Sequence, residues 1–270
     1  MTSHDCGTPT PSFQIISSLR YDPELPRVTS SLPTDEYFPV PRHSPYYLLS
    51  YHRDRLINAA KYFQWDEALE SLQEDLSVFE ASLNSAIKDK TKAWRLRILV
   101  DRHGKGLVEV NPLGAMDCWN LLVPPLHKSV PDVIWNVYVD SQATIPSGFT
   151  THKTTARDDY SAARARAGIT SPADTSEVLL VNPDGHIMEG SITTPYFRRR
   201  VLPGSHATSE PTWVTPPLKC GGNAGTSRRY ALEQSFCVEQ LIMSADLVDG
   251  EDCWLSNGVR GFIKGVVILT

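Results

Sequence analysis

The chain has 270 residues, 41% of them hydrophobic and 21% charged, the balance of a globular protein able to bury one large core or two smaller ones. Its 26 basic and 31 acidic side chains leave a net charge of −5, so no basic field draws it to nucleic acid or an anionic membrane, and a small-molecule partner is expected. The five cysteines, Cys6, Cys118, Cys220, Cys237 and Cys253, form no CxxC pair and point to neither a disulfide framework nor a zinc site.

Residues 1–12 are polar and contain no basic stretch leading into an apolar one. No later apolar run reaches membrane-spanning length, so a cytosolic protein is expected. Residues 13–19 (FQIISSL) read as a strand. Six prolines in residues 21–45 argue against a continuous helix there and predict a long loop that shapes one wall of a pocket. From residue 51 the spacing turns helical, with Leu56, Ala59, Ala60 and Phe63 on one face. Asp66 is the expected cap of a second helix carrying Leu69, Leu72, Leu76, Phe79 and Leu83. Residues 94–100 (WRLRILV) alternate, turn near Gly104 and Gly106, and return over 107–110, which is a hairpin.

Residues 133–139 are a further predicted strand, and the small, Pro- and Gly-bearing stretch 143–150 suits a linker. That places a boundary between a smaller α+β domain, 1–145, and a second domain, 146–270. Beyond it, 155–167 reads as a helix stopped by Gly168, with Tyr160, Ala163 and Ala167 on one side. Residues 177–181 and the stretch from His186 are strands joined by the turn Asn182-Pro183-Asp184-Gly185. Strand character continues at 197–202 and 213–215, 226–237 looks helical, and strands at 253–256 and 262–269 flank the loop NGVRG. Both halves mix strands with helices, so the expected class is α/β or α+β.

Three features suggest chemistry. Residues 220–228, CGGNAGTSR, set glycines and two hydroxyls ahead of a helix, a combination that suits a phosphate, and the missing GK[ST] ending argues against ATP. Arg55 is a candidate second anion ligand. Lys153 lies between two threonine pairs at the linker, and Glu189 follows the tight turn in a run of small residues. A phosphate cup, a lysine and a carboxylate are what pyridoxal 5'-phosphate needs for its phosphate, its Schiff base and its ring nitrogen.

Five stretches then carry a resemblance: HRDRL at 52–56, HKTTARDDY at 152–160, MEGSITT at 188–194, WVTPPLKCGGNAGTSRRYAL at 213–232 and WLSNGVRG at 254–261. In this order they resemble the fold-type IV pyridoxal-phosphate enzymes, which include class IV aminotransferases and aminodeoxychorismate lyases. Together with FQIISSLRYDP and YYLLSYHRDRLINAAKYFQW, the chain is most similar to fungal-type aminodeoxychorismate lyases. The resemblance implies a two-domain fold with the cofactor between domains, a homodimer, Lys153 as the Schiff-base lysine and Glu189 at the pyridine nitrogen. It assigns the phosphate to Arg55, Thr226 and Ser227, and puts Ser256 and Asn257 on the phosphate or substrate side. In the branched-chain enzymes a tyrosine five residues after the lysine meets the cofactor's ring oxygen; here that position is Asp158, and the tyrosine is Tyr160.

The implied reaction converts 4-amino-4-deoxychorismate to 4-aminobenzoate and pyruvate. Its two carboxylates call for arginines, and Arg260, Arg95 and Arg97 are the candidates. Arg198, Arg199 and Arg200 read as a solvated run, and His152 as a neighbour pointing away from Lys153. The alternatives are an aminotransferase of the same fold, acting on D-amino acids, branched-chain L-amino acids or (R)-amines, and a binding protein that keeps the scaffold without catalysis.

Overall fold

Strand β1 (Ile15–Tyr21) is buried along its whole length and anchors the first of two sheets. The structure is a computed structural model that describes residues 12–33, 36–127, 133–171, 173–200 and 211–269. Cys6 and residues 201 and 202 of one predicted strand lie outside the described residues.

The Pro-rich segment contains a helical turn, α1 (Leu25–Ser30), with Pro26 at its start, where the missing N–H has no helical partner to lose. Leu25, Val28, Leu32 and Phe38 from this segment pack with Tyr47, Tyr230 and Phe262, so its apolar residues are core. Helix α2 (Leu49–Tyr62) buries Leu56, Ala59 and Ala60 as their spacing predicts. The expected second helix is divided into α3 (Asp66–Leu72) and α4 (Leu76–Ala86). The break occurs because Asp75, not Asp66, acts as a cap: its carboxylate accepts from Ser77 N at 2.8 Å and starts a new helix.

Strands β2 (Trp94–Val100) and β3 (Gly106–Pro112) form the predicted hairpin and complete a three-stranded antiparallel sheet in the order β1-β2-β3. Leu96, Ile98 and Val100 alternate onto the face that packs with Leu56, Ala59 and Leu83. Arg95 and Arg97 therefore share the other face.

The remaining strands are β4 (Trp135–Ala143), β5 (Ser176–Val181), β6 (Ile187–Gly190), β7 (Thr194–Arg199), β8 (Thr212–Thr215), β9 (Cys237–Glu239), β10 (Asp252–Asn257) and β11 (Gly261–Val267). They form one mixed sheet in the order β6-β5-β4-β11-β10-β7-β8-β9. Strand β4 precedes the linker in sequence but pairs parallel to both β5 and β11 in this larger sheet. Between the strands lie α5 (Gly148–Thr151), α6 (Asp158–Arg166) and α7 (Thr226–Glu233). Helix α6 lays Tyr160 and Ala163 on Val178, Leu180 and Met188. Gly168, at φ +69°, lets the chain leave that helix in the left-handed region. The turn before β6 is held by Asn182 Oδ1, which accepts from Asp184 N and His186 N.

The fold is thus mixed α/β. Cys118, Cys220, Cys237 and Cys253 are free and buried. Among the described residues no helix is long and apolar enough to cross a membrane.

Candidate active site

A cavity of about 310 Å³ lies between the two sheets. The small sheet and its helices contribute Ser18, Arg55 and Arg95; Lys153, Glu189 and Thr226 are among the residues lining it on the other side.

Lys153 is fixed through its backbone. Helix α5 opens on a capping box between Ser147 and Thr150, and the chain leaving it meets β1, where Ile16 N donates to Lys153 O at 2.9 Å. Burial, with Arg55 and Arg157 nearby, holds the amine well below its ordinary 10.5, while Glu189 pulls it the other way. The shift favours the unprotonated amine, the form that acts as a base and a nucleophile.

Glu189 is buried on β6 and accepts from Tyr160 Oη at 2.5 Å. Burial pushes its carboxyl up to about 7, against the opposing pull of Tyr160 and Arg157. The glycine-rich loop passes close beside it: a Cβ on Gly222 would sit 2.4 Å from Met188 O, so no larger residue fits.

Gly225 starts α7, whose first residues, Thr226 and Ser227, are buried against the cavity. Their hydroxyls belong to a connected set. Ser256 Oγ donates to Ser227 Oγ at 2.8 Å and pairs with Tyr196 Oη at 2.8 Å. Thr226 Oγ1 is 3.3 Å from His52 Nε2, His52 Nδ1 is 2.8 Å from Ser17 Oγ, and Arg55 Nη2 donates to that hydroxyl at 2.5 Å. Burial, then Arg55 and Lys153, keeps His52 well below 6.5, so the imidazole is neutral. Gly258 of NGVRG makes room for that ring, since a Cβ there would lie 2.5 Å from it. Burial also brings Arg55 down to about 10, and its Nε is a buried donor with no partner among the described residues.

The cavity is also lined by Arg95, Arg157, Arg164 and Arg260. The Arg260 guanidinium lies 5.3 Å from the Trp135 ring. Arg157 donates to Ser191 O and lies 4.0 Å over the Tyr160 ring, and Arg164 donates to Ser191 Oγ at 3.0 Å. Sequence reading missed both arginines, as well as His52 and Glu177. The available signal was spacing: residues 157, 160 and 164 fall on one helical face.

Several expected contacts fall elsewhere. Arg97 bonds Glu109 across the hairpin at 3.1 and 3.2 Å and is not among the residues lining the cavity. Asp158 is exposed in the first turn of α6, and the neighbouring tyrosine, Tyr160, is bound to Glu189. The His152 ring packs 4.4 Å from that of Tyr62. Asn257 lines the cavity, but its Oδ1 already accepts from Val259 N and Arg260 N and fixes the NGVRG loop. Residues 21–45 contribute nothing to the lining, so the Pro-rich segment is not the pocket wall expected of it.

Comparison with known proteins gives a consistent picture. The amino-transferase class IV family matches residues 36–267. Aminodeoxychorismate lyase of Saccharomyces cerevisiae is 29% identical over 258 residues, covering 82% of this chain and 67% of the yeast protein. The crystal structure of 4-amino-4-deoxychorismate lyase from Pseudomonas aeruginosa superposes with a TM-score of 0.60 at 16% identity, covering 94% of this chain and 83% of that one. A hypothetical aminotransferase from Mycobacterium tuberculosis, in its pyridoxal-phosphate-bound form, superposes at 0.56 with 18% identity over 94% of this chain and 81% of its own. At these identities the two structures establish the fold. The match across 36–267 does more, and the chain belongs to the amino-transferase class IV family.

Proposed function

We propose that the chain is a pyridoxal-phosphate-dependent lyase converting 4-amino-4-deoxychorismate to 4-aminobenzoate and pyruvate. One observation carries this reading. The cavity presents Arg55, Arg95, Arg157, Arg164 and Arg260 against a single acidic side chain, Glu189, in a protein whose net charge is −5. A cofactor phosphate accounts for one group of these cations. The surplus suits a substrate with two carboxylates, and exceeds what an (R)-amine or a simple amino acid needs.

The residues present fit the cofactor. The unpartnered Nε of Arg55, the hydroxyls of Thr226 and Ser227 and the first turn of α7 form a donor set for a phosphate dianion. In this reading Glu189 faces the ring nitrogen, and the close approach of Gly222 to β6 leaves backbone for the ring to lie against. When bound, pyridoxal phosphate supplies an electron sink conjugated to the substrate's amine. Lys153 Nζ is the atom that holds it covalently.

The protein's own part is then short. Once a substrate amine had taken its place on the cofactor, the freed Lys153 Nζ would take the proton from the amine-bearing carbon. The C–O bond on the adjacent carbon breaks, and enolpyruvate leaves with its electron pair and is protonated to pyruvate. Loss of that proton and that leaving group makes the ring aromatic. Lys153 would hold the cofactor again as 4-aminobenzoate departs, so no amino group would stay behind.

The test is product stoichiometry. Holoprotein given 4-amino-4-deoxychorismate and no 2-oxo acid should release 4-aminobenzoate and pyruvate one to one over many turnovers. Dependence on an added 2-oxo acid would favour the aminotransferase reading instead. The family resemblance extends the proposal to a homodimer, which sedimentation equilibrium of the holoprotein tests.

A further inference from the structure

Several arginines elsewhere in the molecule sit on carboxylates, Arg20 on Asp22, Arg97 on Glu109, Arg166 on Asp140 and Arg199 on Glu251, while Arg42, Arg53 and Arg198 donate to backbone carbonyls outside the cavity lining. Arg157 and Arg164 combine bonds to neutral oxygens with a place in the cavity. Among the described residues neither has an ion-pair partner, although both line the cavity. Their hydrogen bonds go instead to neutral oxygens, Arg157 to Ser191 O and Arg164 to Ser191 Oγ and Ser171 O. Each guanidinium carries five N–H donors, so donors remain on both.

What they share is Ser191, and Ser191 is held unusually firmly. Its N–H and hydroxyl donate to Glu177 Oε1 at 2.9 and 2.5 Å. The other oxygen of Glu177 accepts from Ile192 N at 3.0 Å and Thr193 Oγ1 at 2.7 Å. Glu177 is wholly buried, and its carboxylate is satisfied by this turn, not by a cation. Gly190 belongs to the same arrangement, because a Cβ there would fall 2.9 Å from Glu177 Cγ and Cδ. A buried charge spent on positioning one turn needs a return from that turn. The visible return is that two guanidinium groups, one from the residue that caps α6 and one from within it, both bond Ser191.

We propose that Arg157 and Arg164 form the receptor for one carboxylate of the substrate, with Ser191 as their shared anchor and Glu177 as a positioning residue behind it. This rests on the lyase reading, which supplies the dicarboxylate. The pair selects for substrates that bring a carboxylate in addition to the amine, and it leaves the phosphate to Arg55 and the first turn of α7. A fork on each of two arginines favours a planar carboxylate in a fixed orientation.

The experiment compares wild type, Arg157→Gln, Arg164→Gln and Glu177→Gln as holoproteins, with Arg97→Gln as a control. Three quantities are read: cofactor affinity, steady-state turnover of 4-amino-4-deoxychorismate, and calorimetric binding of chorismate, the 4-hydroxy analogue. Chorismate keeps both carboxylates and lacks the amine. Each arginine variant should raise KM and weaken chorismate at least tenfold, with cofactor affinity within about threefold of wild type; kcat should stay within about threefold in Arg164→Gln, whereas Arg157→Gln also removes a cation that acts on Lys153 and Glu189 and is read on KM and chorismate affinity. Glu177→Gln should shift KM in the same direction, and Arg97→Gln should change nothing. Unchanged KM and chorismate affinity in both arginine variants would overturn the proposal. So would a loss of cofactor affinity as large as the loss of kcat/KM, since the pair would then serve the cofactor. If wild type binds chorismate but turns over no 4-amino-4-deoxychorismate, the lyase reading fails, while the calorimetric comparison still decides the role of the pair.

Discussion

The two walls of the cavity satisfy their polar groups in different ways. On the α7 side, neutral groups bond one another in sequence, from Tyr196 through Ser256 to Ser227 and from Thr226 through His52 to Ser17, with Arg55 at the end. On the α6 side, arginines rest on backbone and hydroxyl oxygens and keep donors to spare. A wired neutral wall suits a group that stays, because its geometry is fixed before binding. A cationic wall with spare donors suits anions that come and go. Lys153 and Glu189 line the same cavity and are the residues to which the proposed function gives the chemistry.

Substitutions should separate these parts in order of severity. Lys153→Ala removes both the attachment point and the base, and turnover should fall by at least about 10³-fold while the circular-dichroism spectrum is kept. Glu189→Gln should slow kcat about 10²-fold, because an uncharged amide no longer holds a proton on the ring nitrogen. Near-normal kcat in that variant would remove Glu189 from the site.

The same residue gives a pH signature without cofactor. Its carboxyl is raised from 4.5 to about 7 in the folded protein. Its contribution to stability is therefore fully present below the unfolded value and is lost as pH rises through about 7. Apoprotein stability relative to Glu189→Gln should fall by roughly 3 kcal/mol between these limits, measured by urea unfolding across the pH range. A flat difference would mean that burial does not control this carboxyl.

Changes in the neutral wall should be milder. Thr226→Val removes a phosphate donor and should weaken cofactor binding about tenfold, read by equilibrium dialysis, with kcat of the saturated protein little changed. The smallest effect is expected at Arg97. Its pair with Glu109 is partly exposed, so Arg97→Ala should cost at most about 1 kcal/mol of stability and leave turnover alone.

Much of this arrangement was legible in the sequence because it depends on local patterns. The spacing of Leu56, Ala59 and Ala60 fixed the face of α2, alternation fixed the β2–β3 hairpin, and glycines with hydroxyls before a helix marked the start of α7, which lines the cavity. The losses have physical causes. Asp75 ends one helix and begins another through a single side-chain bond, and an apolar stripe that continues across the break hides it. Alternation placed Arg95 and Arg97 on one face but could not say that Glu109 lay opposite only the second. Arg157, Arg164 and Glu177 are far apart from Ser191 in sequence and meet it only when α6 folds onto β5 and β6. The Pro-rich segment suggested an irregular pocket wall, yet Leu25, Val28 and Phe38 hold it in the core.

The most direct test is chemical. Holoprotein reduced with borohydride, digested and mapped by mass spectrometry should carry the phosphopyridoxyl group on the peptide containing Lys153 and on no other. A label on another lysine, or no stable label at all, would contradict the placement of the cofactor between these two walls and, with it, the division of labour drawn from them.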